Sequence, residues 1–508
     1  MTSLWRAGRA AIPTDPFPED GEFDHVIVGA GLTGLTTALL LARRGRRVTV
    51  LEARDVGALA TGNTTAKLSL LQGVKLQRVK SRNIRSVFQA YVDSQRAAFE
   101  WMVDYLTETG VPFDRRPSVT WAETPEDLET LEKEYVAATE AGLPVRWEDG
   151  AALPDPGSAA IVLEDQVQFD PMDVLTQLTA DVRSLGGVVV EGARVRRLKF
   201  GDPTVVHTDL GQVTAPTVVL ATGTPQLRRG LYWMKVEPQR SYAVALRPPE
   251  DAPVEETGMF LSAGSPAHSV RWHRGMLVVG GEGHVVGRQH EGGDPYGALE
   301  EWAEERWPGS EPTHRWSAQD YAAFSGVPFV GWMPRTRGRA YLATGYEKWG
   351  MTGAVAAAML LEADLAGRRV GWQRVLGMRP TLPQTVGVGI GATAAVFAWY
   401  ARGYAGAIRR AIASVGDDDV PAVPTARIAS EHGTREVCLV CPHAGAIVRW
   451  NAAESTWDCP AHGSRFEATG RLIEGPAISD LASRDLGTEE NLDRMHETDP
   501  AVPASPRA

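Results

Sequence analysis

Two sets of residues in this chain have the types and spacing that chemistry needs. The first is Gly29-Ala30-Gly31-Leu32-Thr33-Gly34, with Glu52 following 18 residues after Gly34. Such glycines permit a tight turn, let a pyrophosphate approach the backbone, and let a helix lie close on a strand. The free N–H groups and positive dipole end of that helix suit phosphate oxygens. Glu52, with Ala53 and Arg54 beside it, would take the hydroxyls of an adenosine ribose. The second set is Cys441-Pro442-His443 and Cys459-Pro460-Ala461-His462, with 15 residues between His443 and Cys459. Thiolate sulfur and imidazole nitrogen in that pattern are ligands for zinc or for an iron–sulfur centre.

The first set needs a strand, a turn and a helix to position it. Asp24–Val28 is a short apolar run that stops at Gly29. Leu35, Ala38, Leu39 and Ala42 keep helical spacing, and Val48–Leu51 is a second apolar strand ending at Glu52. Strand, glycine turn, helix, strand and acid in that order make the full dinucleotide-binding context. Thr217–Leu220 is a further apolar strand, ending in Ala221, Thr222 and Gly223. Ala340–Thr344 ends at Gly345, and an Ala-rich helix follows Tyr346-Glu347-Lys348-Trp349-Gly350-Met351-Thr352-Gly353. That helix N-terminus, at Gly350, Met351 and Thr352, is another site for negative charge. Lys348 is either structural or reaches toward it.

Residues 82–145 read as helices with polar faces. Asp170 and Pro171 open a further helix as N-cap and first turn. Gly187–Glu191 is a buried strand, and 232–325 alternates short strands with turns, as in an antiparallel sheet. Thr61-Gly62-Asn63-Thr64-Thr65-Ala66-Lys67 reads equally as a loop over a cofactor and as a Thr-rich turn capping the next helix. His284, in the Gly-rich run 280–284, belongs to a residue type more often structural than catalytic in such turns.

The 508 residues carry a net charge of −11 and no Lys/Arg-rich block, which excludes a nucleic-acid partner. Residues 1–20 lack the apolar core of a secretory signal. The three cysteines all fall between 438 and 459, so there is no disulfide framework, and a reducing cytoplasm is expected. Residues 380–401 are uncharged, and Arg402, Arg409 and Arg410 follow. A spanning helix needs roughly 20 apolar residues, and Gly387, Gly389 and Gly391 weaken this one. The expectation is a buried or domain-bridging helix, with 385–401 packed against the nucleotide domain; a membrane-surface or spanning role for 385–401 is the less favoured alternative. Gly416–Pro424 reads as a flexible linker.

On the Gly29–Glu52 fingerprint and the Thr61–Lys67 loop, the chain resembles the flavin oxidoreductases of the D-amino-acid oxidase, glycine oxidase and sarcosine oxidase group. The loop is similar to a Thr-Gly-x-Thr-Thr-Ala-Lys loop in an uncharacterised bacterial branch, with Asn63 at x. The resemblance implies FAD as cofactor and contacts to it from Thr61, Gly62, Thr64, Thr65 and Lys67. It implies a backbone contact from Val195 to the adenine, and a flavin pyrimidine ring facing Gly350, Met351 and Thr352. Arg240 and Tyr242 stand where the group places substrate-facing residues. No catalytic base is assigned; Tyr242, His284 and Lys348 are candidates. The implied fold is α/β: a two-dinucleotide-type Rossmann-like FAD-binding domain (about 21–85, 155–230 and 325–375) interleaved with an antiparallel-sheet, α+β substrate domain (about 86–154 and 231–324). The implied reaction is oxidation of a C–N bond in a small amine or amino acid.

For the second set, Cys438-x2-Cys441 with Cys459-x2-His462 has zinc-ribbon spacing but leaves His443 idle. A Rieske [2Fe–2S] centre uses Cys441, His443, Cys459 and His462, two cysteines on one iron and two histidines on the other, and leaves Cys438 as a buried thiol. The surroundings (Gly445, Pro460, Gly463-Ser464, Phe466, Gly475-Pro476) resemble Rieske proteins. Where disulfide-bearing Rieske proteins have two cysteines, this chain has Ala446 and Ala461, and Phe466 replaces a frequent tyrosine. That implies a potential in the lower half of the range of roughly −150 to +300 mV. The whole is an N-terminal extension (1–20), an oxidoreductase (21–380), an apolar helix and linker (381–424), a small all-β Rieske domain (425–485) and a disordered tail (486–508). The cluster would relay electrons singly to an external acceptor. The rival readings are an electron-transfer or redox-sensing protein, and a flavin monooxygenase-like enzyme fed through the cluster.

Overall fold

The computed structural model describes residues 2–150, 159–227, 229–249, 258–289, 292–369, 371–377, 383–413, 424–430 and 433–487. The chain falls into two compact units, Met1–Val285 with Gly293–Ile390, and Val286–Gly292 with Gly391–Ala508.

In the first unit the apolar strands build a six-stranded sheet. Its order is Phe329–Trp332, Ala340–Thr344, Thr217–Leu220, His25–Val28, Val48–Leu51, Val188–Val190. All neighbours pair in parallel except Phe329–Trp332 with Ala340–Thr344. The central strands are buried except at the first residues His25 and Thr217, as suits parallel strands covered on both faces. The helix Leu32–Ala42 lies on this sheet, and ten of its 11 residues are buried. His25–Val28 has the next strand in the chain on one side and Thr217–Leu220 on the other. Gly29 therefore opens at the switch point where doubly wound sheets bind ligands.

The second sheet has nine strands among the described residues. It is antiparallel apart from Met259–Ser262, which pairs in parallel with Phe113–Ala122. The strand Phe113–Ala122 corrects the all-helical expectation for 82–145. Helices occupy Arg85–Thr109 and Leu128–Glu140, but alternation in Pro117-Ser118-Val119-Thr120-Trp121 wins between them. A small antiparallel sheet follows from Val195–Lys199, Thr204–Thr208 and Gln212–Ala215. Asp170 caps the helix Pro171–Ser184, its carboxylate accepting from Met172 N at 2.8 Å.

The N-terminal residues pack onto the Thr loop. Trp5 is 1% exposed, its Nε1 donates to Thr64 O at 2.6 Å, and Ser3 Oγ donates to Gly62 O at 2.5 Å.

The uncharged run lies in a 31-residue helix, Pro383–Ala413. Glycine costs about 1 kcal/mol per helical position, but two of these glycines allow close approach. A Cβ on Gly389 would lie 3.3 Å from Phe324, and one on Gly403 would lie 3.2 Å from Ile447. The expected packing of 385–401 against the nucleotide domain holds for its first residues, where Thr385 Oγ1 donates to Arg82 O at 3.3 Å, and is corrected for the rest. The first unit ends at Ile390, and Val396 and Tyr400 pack on the core of the second. Among the described residues no helix is long and apolar enough to cross a membrane.

The second unit holds two small antiparallel sheets. One is Thr425–Ser430, Gly433–Cys438 and Ser483–Gly487; the other is the meander Arg449–Asn451, Thr456–Asp458, Arg465–Glu467 and Leu472–Glu474. Val437, Val448, Phe466, Leu472 and Leu481 form its core. Cys438 is half-buried rather than buried, because it ends the strand Gly433–Cys438. The expected tail beyond Gly487 lies outside the described residues.

Candidate functional site

The glycine loop is built for close approach. Gly29 has φ +107°, and a Cβ there would lie 2.5 Å from Ala221 O; on Gly34 it would lie 1.9 Å from Gly29 O. Neither position tolerates a side chain. Gly31 faces only Thr61 Oγ1, at 3.1 Å from a Cβ, which leaves room for a phosphate. Thr61 Oγ1 accepts from Leu32 N at 3.1 Å, so the Thr loop and the helix start are in contact. Glu52 accepts from Ala30 N and from Arg54 N, both at 2.9 Å. Burial pushes its carboxyl up from the usual range, against the pull of those N–H groups. The donors, the glycine cradle and the acid fit a dinucleotide.

The remaining expected cofactor residues arrive by different routes. Ala221 N donates to Val28 O at 2.9 Å, which sets Ala221, Thr222 and Gly223 against the glycine turn. Val195 joins a buried cluster with Val28, Leu51 and Val190. Thr64 Oγ1 accepts from Ala66 N, and Thr65 O accepts from Arg271 Nη1. Lys67 turns its ammonium into the second sheet, to Phe260 O at 2.5 Å and Ser269 Oγ at 2.6 Å. Gly350 and Met351 begin the helix Gly350–Leu365. Thr352 Oγ1 donates to Gln95 Oε1 at 2.6 Å and accepts from Gln72 Nε2 at 3.1 Å.

Two of the catalytic candidates meet. Tyr242 OH and His284 Nε2 are 3.1 Å apart, and His284 Nδ1 lies 2.9 Å from Val285 O. A carbonyl only accepts, so Nδ1 carries a proton, and in the neutral ring Nε2 is the acceptor that faces Tyr242. Lys348 Nζ lies 2.8 Å from the place of a Gly283 Cβ, beside the same strand as His284. Glu347 and Lys348 both have positive φ, 55° and 68°. Non-glycine residues hold that conformation only when their surroundings impose it. Here Glu347 pairs with Lys75 at 3.3 Å and with Arg78, while Asp320 accepts from Lys348 N. Burial lowers the Lys348 ammonium below the usual lysine range, with Asp320 and Glu347 opposing. Sequence reasoning missed this clamp, whose members are spread from Lys75 to Lys348 without a motif. Arg240 is buried, donating to Ser317 Oγ at 2.9 Å and Gln319 Oε1 at 2.8 Å.

In the second unit the four ligand candidates come together. The sulfurs of Cys441 and Cys459 are hydrogen-bonded, which pulls Cys441 down and pushes Cys459 up. Cys441 also takes the N–H of His443 and Ala444 and the Ser464 hydroxyl; Cys459 takes the N–H of His462 and Ala461. The His443 and His462 rings are 5.2 Å apart at 87°. Their Nδ1 atoms are buried. Burial, His443 and Arg288 lower His462 to about 3, so the ring is neutral and able to ligate. A sulfur pair and an imidazole pair fit a two-iron cluster better than one tetrahedral zinc. The role of Ser464 on Cys441 was missed; nothing in the sequence marks a single serine as a sulfur donor.

These features define a flavoprotein with an iron–sulfur domain. The chain belongs to the FAD dependent oxidoreductase family, which matches residues 24–363; residues 425–485 match the Rieske [2Fe-2S] domain. Its cofactors are FAD and a Rieske-type [2Fe–2S] cluster. Over 507 residues it is 27% identical to YhfW of Bacillus subtilis (strain 168), a protein named for a Rieske 2Fe-2S centre, covering 94% of this chain and 96% of that one. A 76-residue stretch is 38% identical to the cytochrome b6-f complex iron-sulfur subunit 1 of Nostoc sp. (strain PCC 7120 / SAG 25.82 / UTEX 2576), covering 15% of this chain and 41% of that subunit. In fold it is similar to glycine oxidase from Geobacillus kaustophilus (TM-score 0.59, 19% identity, 71% of this chain and 99% of that one). It is also similar to L-amino acid deaminase from Proteus myxofaciens (TM-score 0.56, 16% identity, 73% and 95%).

Proposed function

We propose that the chain oxidises a C–N bond of a small amine or amino acid and passes the electrons through its cluster to an external acceptor. The carrying observation is that one chain matches both a two-electron flavin family and a one-electron Rieske domain. Bound FAD supplies the two-electron step and the cluster supplies single-electron relay. Glu52, the glycine loop, Thr61 and the start of the helix Gly350–Leu365 hold and orient the flavin nucleotide. Lys348 holds a substrate carboxylate, because its turn is clamped by the Glu347 ion pairs and by Asp320, and its Nζ reaches the strand that carries His284. Tyr242 and His284 position the amine, and His284 in its neutral form takes up a proton at Nε2. Confinement of the cysteines to the cluster region supports a cytoplasmic location.

The test is anaerobic mixing of the purified holoprotein with a panel of amines and amino acids, followed at the flavin absorbance. Bleaching by a panel member supports the reading. Bleaching by NAD(P)H or a ferredoxin alone would overturn it in favour of an enzyme fed through the cluster.

A further inference from the structure

The ligand loops lack a covalent tie between them. Ala446 and Ala461, both buried, stand where the resemblance places the two cysteines of disulfide-bearing Rieske proteins. Each loop is instead gripped by a segment outside 425–485 but within the same compact unit. We propose that these two segments replace the disulfide: Tyr400 and Tyr404 hold the first loop, and Arg288 holds the second.

The first loop turns back on itself, with Gly445 N donating to Cys441 O at 2.9 Å. That turn leaves the carbonyls of Ala444 and Gly445 for outside donors. Tyr400 OH donates to Ala444 O at 2.8 Å and Tyr404 OH to Gly445 O at 2.7 Å. The two tyrosines are four residues apart and share a helix face. Val396, one turn earlier, packs on the cluster core. Gly403 lets this face come close, since a Cβ there would already touch Ile447 at 3.2 Å.

The second loop is held in the same way by the chain after the strand Met276–Val285. Arg288 Nε donates to Pro460 O at 3.0 Å, between the ligands Cys459 and His462. Gly287, with φ +70°, brings this segment against the loop; a Cβ would lie 2.7 Å from Pro460 N and 2.9 Å from Asp458 O. Arg449 anchors the segment, donating to Gly287 O at 3.2 Å and Gln289 O at 3.3 Å. Gln289 Nε2 donates to Trp450 O at 3.2 Å. These grips act on backbone carbonyls next to the ligands, so they hold the loops whatever the cluster's oxidation state.

The test uses the full-length holoprotein with flavin and cluster loaded. Tyr400→Phe/Tyr404→Phe and Arg288→Met remove donors while keeping the packed side-chain bulk; Arg471→Met, on the exposed pair with Glu467, is the control. Iron loss to a chelator, followed by decay of the visible circular dichroism of the cluster, should be about five-fold faster per hydrogen bond removed. Amide exchange reads each loop directly. The tyrosine variant should speed exchange in 441–446 and leave 459–464 protected, and Arg288→Met should do the reverse. Iron loss within two-fold of the control in both variants, or exchange that rises equally in both loops, would overturn the proposal. Unchanged flavin content in each variant separates a loosened loop from a misfolded chain.

Discussion

Glu52 tests the flavin site at one residue. Its two carboxylate oxygens accept from Ala30 N and Arg54 N, each at 2.9 Å. The acid therefore both braces the glycine loop and, in the proposed reading, binds the adenosine ribose. Glu52→Ala removes a charge-assisted bond to the ribose, a loss of about 1–3 kcal/mol. That is roughly a five- to 150-fold weaker Kd for FAD. Glu52→Gln should lose nearly as much, because an amide NH2 would face one of the two backbone N–H groups. The assay is titration of apoprotein with FAD, followed by flavin fluorescence quenching, at a temperature below the melting of each variant. Loss of the brace also lowers apoprotein stability, so melting is measured separately and kept out of the Kd. Full flavin occupancy of Glu52→Ala after dialysis, with the parent Kd, would refute the assignment.

Three further outcomes follow from the geometry. Lys348→Met should raise KM for an amino-acid substrate about ten-fold or more, the value of a hydrogen bond to a charged group, with flavin content unchanged. Because burial lowers the Lys348 ammonium, substrate affinity in the parent should fall with rising pH earlier than an ordinary lysine would allow; steady-state KM against pH checks both. Glu134 is fully buried, accepts from Leu76 N at 3.1 Å and Gln77 N at 2.9 Å, and is pushed up by burial to about 8. A raised folded-state value means that stability present below the unfolded value of 4.5 is lost as pH rises through about 8; Glu134→Gln should flatten that slope in denaturant melts between pH 5 and 8. His443→Ala should abolish the Rieske spectrum while Cys438→Ala leaves it intact, read by EPR of dithionite-reduced protein, and the reverse sensitivity would restore the zinc reading.

The local motifs were legible because their chemistry depends on contiguous residues. The glycine loop, its two strands and Glu52 lie within one βαβ stretch, and each cluster loop is a few residues long. The Tyr242–His284 pair was foreshadowed only as two separate candidates; a bulge between Arg240 and Tyr242 interrupts the strand pairing that brings them together. The strand Phe113–Ala122 was hidden between two helices and paired with Ala159–Phe169, far along the chain. The clamp on Glu347 and the grips of Tyr400, Tyr404 and Arg288 depend on contacts that join distant segments. For the tyrosines the i, i+4 spacing was visible, but nothing in the sequence indicated which surface that helix face would meet.

The claim at the centre of this account is that electrons pass from the flavin to the cluster within one chain. The direct measurement is anaerobic reduction by an amine or amino acid that bleaches the flavin, with EPR of samples frozen along the time course. The account predicts that the reduced-cluster signal grows as the flavin absorbance falls. A cluster that stays oxidised beside a fully bleached flavin, although its measured potential lies above that of the flavin, would contradict it.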